Sequence, residues 1–410
     1  MSRGENYVVG LDIGTTKICA LVGVPGPEGV DVIGFGTYPS HGLRKGVVVN
    51  IEATVDSIKR AVAEAELMAG CEIQSAFVGI AGGHIKGMNS HGVVALKSRE
   101  VTEDDIRRVI DAAKAVAIPM DREVIHILPQ EFIVDGQDGI KDPRGMSGVR
   151  LEVKVHIVTG AVTSAQNLIK CVNKAGLTVD DIVLQQLASS EAVLSPEEKE
   201  LGVALVDIGG GTTDLAIFHR GSIKHTAVIS LAGDHITGDI AIGLRTPIEE
   251  AEKLKLKHGC ALTSMASAEE MVEVAPVGEG QRPRVVSRQI LAEIIEPRVE
   301  EILGLVEEEI ERAGFRRMIP SGVVLTGGTA LMEGMVELAT QIFDLPVRRG
   351  YPKGIGGLVD IVRTPQYATA VGLVLYGSRK GKRADFKPHE ENIFDKVSRR
   401  MKEWLRDMFS

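Results

Sequence analysis

Apolar positions near the start of the chain come in short β-branched runs. Tyr7–Ile13 stops at Gly14, Ile18–Val24 follows Thr15-Thr16-Lys17, and Val30–Phe35 follows Pro25-Gly26-Pro27. Three such runs parted by turn residues predict an antiparallel meander. The period then changes. Ile51, Val55, Ile58, Val62 and Ala65 recur at steps of three and four, which predicts a helix over 51–69. Phe77–Ile80 reads as a strand running into Gly82-Gly83.

Residues 84–165 carry a different pattern. Thr102 before Glu103-Asp104-Asp105 is an N-cap with acids in the first turn, so a helix to about Ala117 is expected. Strands follow at Glu123–Pro129, Glu131–Val134 and Leu151–Val158, with a Gly/Asp/Pro loop at Asp135–Gly148. This block of roughly 80 residues reads as a small α+β insertion. Helical spacing returns at Thr163–Lys174 and Gln185–Leu194, with a short strand at Ile182–Leu184 between them. Leu201–Asp207 and Asp214–His219 then repeat the opening pattern of strand, Gly/Thr turn and strand. Ile240–Gly259 reads as one charged helix, Thr263–Arg284 as weak strands, and Ser287–Ala313 as a long amphipathic helix. Ser321–Thr326 is a strand, followed by Gly327-Gly328 and a helix to about Phe343. Gln366–Gly377 is a last core helix.

The repeat carries chemistry. Leu11-Asp-Ile-Gly-Thr-Thr-Lys-Ile-Cys-Ala and Val206-Asp-Ile-Gly-Gly-Gly-Thr-Thr-Asp-Leu-Ala share one design, with aspartates 195 residues apart. Two copies imply two related halves facing one another, with a ligand between them. Glycine lets backbone N–H groups approach a phosphate closely, and threonine hydroxyls add donors. A carboxylate before the turn can hold the waters of Mg²⁺, and Lys17 supplies a point charge. Gly14-Thr15-Thr16-Lys17 is not a P-loop: Thr precedes the lysine, Ile18 follows it, and a strand comes next instead of a helix. A third element, Val323-Val-Leu-Thr-Gly-Gly-Thr-Ala-Leu, delivers Gly327-Gly328 from a strand to a helix start as a flat backbone platform for a nucleoside.

Composition excludes several classes. Of 410 residues, 44% are hydrophobic and 25% charged, which is an ordinary globular balance. The net charge of −9 argues against a general nucleic-acid binder, which needs concentrated positive charge. Cys19, Cys71, Cys171 and Cys260 form no CxxC pair, so a disulfide framework or zinc site is not expected and a reducing compartment fits better. No basic run or cleavage site opens the chain, so no signal peptide is expected. No run of about 18 apolar residues could span a bilayer.

The two hairpins and the Gly-Gly element together resemble the ATPase superfamily of actin, Hsp70 and sugar kinases. Within it the chain is most similar to the FtsA family of bacterial cell-division proteins, over nearly its whole length. The likeness rests on Gly10-Leu-Asp-Ile-Gly-Thr-Thr-Lys, Leu187-Ala-Ser-Ser-Glu-Ala-Val-Leu, Glu200-Leu-Gly-Val-Ala-Leu-Val-Asp-Ile-Gly-Gly-Gly-Thr-Thr-Asp and Gly233-Asp-His-Ile-Thr-Gly-Asp-Ile. It implies an α/β, actin-like fold: two RNase H-like halves around a nucleotide cleft, with a small α+β subdomain inserted in the first half. The implied divisions are 1–84 with 166–198 and 356–377 (first core subdomain), 85–165 (insert), 199–240 with 321–355 (second core subdomain) and 241–320 (smaller second-half subdomain). A linker, 378–391, and an amphipathic helix, 392–410, complete the chain.

The resemblance also implies site residues. Asp12, Gly14, Thr15, Thr16 and Lys17 would form phosphate loop one, and Asp207, Gly209, Gly210, Gly211, Thr212 and Thr213 phosphate loop two. Gly327, Gly328 and Thr329 would face the nucleoside of ATP, with Glu252 and Lys255 near adenine or ribose, or else on a solvated helix face. Asp12 and Asp207 would hold Mg²⁺ through water. Gln186 aligns with the residue that positions the attacking water. An amide does not take up a proton near neutral pH, so at most slow ATP hydrolysis is expected. Glu191, further along the same helix, reads as structural. Partners implied are the FtsZ C-terminal tail, other divisome proteins, anionic inner-membrane lipids and further copies of the chain in filaments; no nucleic acid is implied. The tail would meet 241–320, where Arg284, Arg288 and Arg298 are candidate contacts. The place implied is the cytoplasmic side of the inner membrane, at the division septum.

The last residues fit that picture. Ile393, Phe394, Val397, Met401, Trp404, Leu405, Met408 and Phe409 form one apolar stripe at helical spacing. Residues 395–410 carry five basic against three acidic side chains, a net of +2 in a chain of −9. Such a helix suits the headgroup region of an anionic leaflet. Burying a large side chain fully is worth ~1.5–3 kcal/mol, so eight partly buried ones give reversible binding. Docking on its own domain or on a partner helix is the bland alternative. For the chain as a whole, a pilus-assembly relative of the same superfamily and a small-molecule kinase remain as alternatives to a division scaffold.

Overall fold

The computed structural model describes residues 7–26, 29–277 and 282–380. It opens with β1 (Val8–Ile13), β2 (Lys17–Gly26) and β3 (Gly29–Pro39), antiparallel neighbours as the apolar runs imply. A small hairpin, β4 (Leu43–Arg44) and β5 (Val47–Val48), leads to α1 (Ile51–Ala69) and β6 (Ser75–Ile80). Helix α1 starts where Asn50 accepts the Ala53 N–H and stops at Gly70, whose φ of 65° few other residues tolerate. Next come β7 (Lys86–Ala95), α2 (Glu103–Lys114), β8 (Arg122–Val134), β9 (Gln137–Ile140) and β10 (Arg150–Ala161). The chain returns through α3 (Val162–Lys174), β11 (Thr178–Leu184) and α4 (Gln185–Val193), and leaves by α5 (Pro196–Leu201).

The second pass holds β12 (Val203–Ile208), β13 (Thr213–His219), β14 (Ser222–Ile229), α6 (Gly233–Leu244), α7 (Ile248–His258), β15 (Met271–Val274), β16 (Arg284–Ser287) and α8 (Arg288–Arg312). It closes with β17 (Val323–Thr326), α9 (Met335–Phe343), β18 (Val347–Arg349), β19 (Ile355–Gly357), α10 (Val359–Val362) and α11 (Ala368–Lys380).

The duplication is visible strand for strand. One sheet has the order β11-β6-β1-β2-β3-β19, the other β18-β17-β12-β13-β14. In each, an antiparallel meander is extended on its first strand by parallel strands: β6 then β11 beside β1, and β17 then β18 beside β12. Helices α4 and α11 lie between the sheets, so Leu21 and Val30 share one core with Val203, Leu205, Val371 and Val374. A Cβ on Gly372 of α11 would lie 1.8 Å from the Ala188 carbonyl of α4, so the helices cross in contact only because residue 372 has no side chain. Helices α1 and α3 cover the outer face of the first sheet, and α6, α8 and α9 that of the second. A four-stranded sheet, β7-β10-β8-β9, packs its own core against α2.

The structure revises several elements. Residues 240–259 are not one helix: α6 ends at Arg245, which has φ 45°, and Pro247 precedes α7. Proline cannot supply the N–H an unbroken helix needs there. Strand β8 runs continuously through Pro129, and a register shift opposite Lys154/Val155 absorbs its missing donor. β7 was not expected, because its polar, mostly exposed sequence hides the alternation. Gly327-Gly328 feed a short 3-10 turn at Thr329–Leu331, and α9 begins only at Met335. Helix α11 runs past Gly377 to Lys380. The apolar stripe from Ile393 to Phe409 and the rest of the linker lie outside the described residues.

Candidate nucleotide cleft

Both Gly/Thr motifs form tight hairpins that close in the same way. The Gly14 N–H donates to the Lys17 carbonyl at 3.0 Å and the Gly209 N–H to the Thr212 carbonyl at 3.0 Å. The two tips meet. A Cβ on Gly210 would sit 1.8 Å from Thr16 Oγ1, and one on Gly211 2.5 Å from Thr15 Oγ1. Glycine is needed at both positions because the opposite hairpin occupies the space.

The hairpins border a cleft of about 540 Å³. Gly14, Thr15, Thr16, Lys17, Gly209, Gly210, Gly211 and Thr212 line it, with Asp12, Asp207, Asp214 and Gln185. Gly327, Gly328, Thr329, Glu252 and Lys255 complete it. Gly327 has φ 88°, and a Cβ there would meet Asp207 Oδ1 at 2.5 Å, so close approach and backbone both demand glycine. Thr329 Oγ1 donates to the Gly209 carbonyl at 2.8 Å, tying the Gly-Gly turn to the second hairpin. Lys255 Nζ is buried, 2.7 Å from Glu252 and 3.0 Å from the Gly233 carbonyl.

Three carboxylates share this space. Burial pushes Asp12 up to about 6, the Lys17 ammonium opposing it and Asp207 adding to it. Burial and the neighbouring Asp207 push Asp214 up to about 8. Burial also raises Asp207, against hydrogen bonds from Ser189 and Thr369. Lys17 is lowered by burial; its Nζ donates to the Gln366 carbonyl and lies 4.0 Å above the Tyr367 ring. Such a set is short of positive charge, which a divalent cation would supply. Among the described residues no three His, Cys, Asp or Glu side chains are grouped to ligate a metal directly.

Several candidates are placed differently from the sequence reading. Gln186 is fully buried and does not line the cleft; its Nε2 donates to Asp214 Oδ1 at 2.9 Å. Gln185 lines the cleft instead, with Nε2 3.0 Å from Asp12 Oδ1. Thr213 turns away and donates to the Leu231 carbonyl at 2.7 Å. Arg288 is a cleft residue, held by the His258 carbonyl, Glu270 and Glu333. Arg298 forks onto Asp239 at 2.6 and 3.1 Å and also pairs with Glu301. Arg284 is exposed on β16. Glu191 pairs with Lys199 at 2.7 Å and with Arg379, a structural role. Gln185 and Asp214 were missed, although both flank residues the motifs had marked. No helix among the described residues is long and apolar enough to cross a membrane.

Known proteins bear on this geometry. The family model for cell division protein FtsA matches residues 204–372, and that for the SHS2 domain inserted in FtsA matches 82–159. The chain is 58% identical to cell division protein FtsA of Pseudomonas aeruginosa over 379 residues, 92% of this chain and 91% of that one. Identity to FtsA of Neisseria meningitidis is 48%, covering 91% of each chain, and to FtsA of Escherichia coli K12 44%, covering 99% of each. Among solved structures, a PilM–PilN type IV pilus biogenesis complex aligns with TM-score 0.66 at 17% identity, over 90% of this chain and 98% of that one. MreB5 of Spiroplasma citri bound to ADP aligns with TM-score 0.54 at 17% identity, over 90% and 95%. These structural likenesses establish the actin-like fold, with the SHS2 insertion marking one branch of it. At this identity over more than nine-tenths of its length, the chain belongs to the FtsA family of cell division proteins.

Proposed function

We propose that the chain binds ATP with Mg²⁺ between its hairpins and, so loaded, assembles into filaments on the cytoplasmic face of the inner membrane at the division septum. There it holds FtsZ filaments by their C-terminal tails and gathers further division proteins. The observation that carries the reading is the meeting of two glycine hairpins over Asp12, Asp207 and Asp214. Backbone N–H groups of both tips and the hydroxyls of Thr15 and Thr16 suit a phosphate chain, while the Thr212 hydroxyl donates to Asp214 Oδ2 at 2.9 Å. Asp12 and Asp207 would hold Mg²⁺ through its waters, and the ion would neutralise the crowded carboxylates and the phosphates. Gly327, Gly328 and Thr329 would face the nucleoside, with Glu252, Lys255 and Arg288 beside it.

Gln185, not Gln186, is the amide able to orient a water in the cleft. An amide is no general base, so hydrolysis is slow and nucleotide acts chiefly as a structural ligand. The subdomain divisions read from the sequence are kept as part of this proposal; the membership of the three sheets supports them. The stripe Ile393–Phe409 is the membrane contact, strengthened when a filament presents many copies. Arg284 remains the candidate for an acidic tail, since Arg288 and Arg298 are committed to carboxylates.

The test is titration of Mg-ATP into the full chain and into Asp12→Ala and Asp207→Ala. Micromolar or tighter binding by the parent, weakened in both variants, supports the cleft. Unchanged affinity in both sinks it.

A further inference from the structure

β11 and α4 join without a loop: Leu184 ends the strand and Gln185 opens the helix. No side chain caps that helix start. Its geometry rests on the register of β11 on β6, where Leu184 pairs with Ile80, and on what meets the Leu184 N–H. The partner is His126 Nε2, 2.9 Å away, on β8 of the four-stranded sheet. An imidazole nitrogen accepts only when it carries no proton, so His126 has its proton on Nδ1. The ring is 7% exposed and so holds its position. One residue on, Gln185 Nε2 donates to Asp12 Oδ1. That donor fixes the carboxylate's rotamer and leaves its other lone pairs for the waters of a cation.

The same sheet also grips the second half. Gln130 Nε2 donates to the Ile223 carbonyl at 2.8 Å and Asn89 Nδ2 to the Lys224 carbonyl at 3.0 Å. His156 Nε2 pairs with Thr226 Oγ1 at 2.8 Å. All three partners are on β14, which feeds the segment that touches loop two: the Leu231 carbonyl accepts from Thr213, and the Gly233 N–H donates to the Gly209 carbonyl at 3.1 Å. The four-stranded sheet is thus bonded to both walls of the cleft. On one side it meets the root of Gln185, and on the other the strand leading to the second hairpin.

We propose that His126 is a positioning residue for the nucleotide cleft, through which the four-stranded sheet sets the affinity for Mg-ATP; this rests on the nucleotide reading above. With the sheet seated, His126 holds Leu184, Gln185 stays on Asp12, and the cleft is ready for the hydrated cation. A displaced sheet removes the acceptor, frees the start of α4 and takes Gln185 from Asp12. A partner that moves this sheet would then change nucleotide affinity, and bound Mg-ATP would in turn resist that movement.

The experiment compares His126→Gln and His126→Met in the full chain by titration with a fluorescent ATP analogue and Mg²⁺, alongside thermal melts. The Gln Oε1 can accept in place of Nε2; the Met side chain fills the space with only a thioether sulfur, a weak acceptor. The expected result is affinity within about threefold of the parent for His126→Gln and about a tenfold loss, ~1.4 kcal/mol, for His126→Met. Equal affinity in all three, or equal loss in both variants, overturns the proposal. Should His126→Met not fold, hydrogen exchange of the parent decides. Mg-ATP must slow exchange across 181–187 and 123–129 together, and protection of 181–187 alone overturns it. If the parent binds no Mg-ATP, the nucleotide reading fails first and this inference falls with it.

Discussion

Replacing Gly210 by alanine is the sharpest perturbation of the cleft. Its backbone has no positive φ, so alanine brings no Ramachandran cost. The whole effect comes from one methyl group placed 1.8 Å from Thr16 Oγ1, 3.1 Å from Thr16 Cβ and 2.9 Å from Asp234 Oδ1. A carbon–oxygen contact relaxes near ~3.5 Å, so either the hairpin tips part by about 1.7 Å or the Thr16 hydroxyl leaves its rotamer and the tips part by less. Overpacking of this kind costs about 1–3 kcal/mol of stability. Affinity should fall more visibly, because both tips must reach one phosphate chain; a tenfold to hundredfold loss corresponds to about 1.4–2.8 kcal/mol. Gly209→Ala is the control. Its methyl would meet only the Thr212 carbonyl at 3.3 Å, a gap that small shifts relieve. Mg-ATP titration and thermal melts of both variants measure the difference. Thr16→Ala in the Gly210→Ala background removes the offending hydroxyl and should return part of the lost stability, a coupling that a double-mutant cycle reads directly. If Gly210→Ala binds like the parent and adds to Thr16→Ala without coupling, the hairpins do not face each other as described.

Other outcomes follow from the same geometry. Gln185→Ala should abolish whatever slow hydrolysis the chain has and cost less stability than Gln186→Ala, because water in the cleft can replace its bond to Asp12. Gln186→Ala should instead cost about 1–3 kcal/mol of stability by removing the donor to the buried Asp214 Oδ1, and the reverse pattern would restore Gln186 to the catalytic role. Asp12 and Asp214 are raised from 3.8 to about 6 and about 8, so the folded state holds their protons more tightly than the unfolded chain. That stabilisation is fully present below about 3.8 and is lost as pH rises through the two raised values. Bound Mg-ATP should therefore raise the melting temperature more at pH 8.5 than at pH 5.5, and an increment that shrinks with pH would contradict the carboxylate assignment. Trp404→Glu should release the full chain from anionic vesicles in co-sedimentation, as should truncation to 1–391; vesicle binding that survives both would remove the terminal helix from the mechanism.

What the sequence revealed and what it hid have separate physical causes. The duplication was legible because each half repeats Asp-Ile-Gly before a turn, and in both copies that glycine N–H closes the hairpin onto the carbonyl three residues on. Facing direction was harder. In a strand, neighbouring side chains point to opposite faces, so Thr212 and Thr213 could not both reach the cleft. The structure gives it to Thr212 and sends Thr213 to the Leu231 carbonyl. Gln185 and Gln186 pose the same problem at a strand-to-helix junction, where a shift of one residue turns the side chain through a large angle. No local pattern says which one faces the ligand; that is decided by Asp12, 173 positions earlier, accepting from Gln185. Two of the three candidate arginines of the second half, Arg288 and Arg298, are engaged within the chain for a related reason. Asp239, Glu270 and Glu333, their carboxylate partners, lie 59, 18 and 45 positions away.

The insert adds the least legible link of all. Its sequence reads as a separate module with its own core, and Val153, Val155 and Ile157 are indeed buried against α2 within it. Yet the bonds that tie it to the cleft come from isolated polar residues on its strands. Asn89, Gln130 and His156 each look like an ordinary polar residue on a half-buried strand, and His126 like a satisfied core histidine. Of these, His126 and His156 are buried, and a buried polar group contributes little net stability when paired but is expensive to strand. That makes the insert suited to report on the cleft, through Leu184 and β14 alongside the apolar contacts of Ile125 and Leu128 with the two cores.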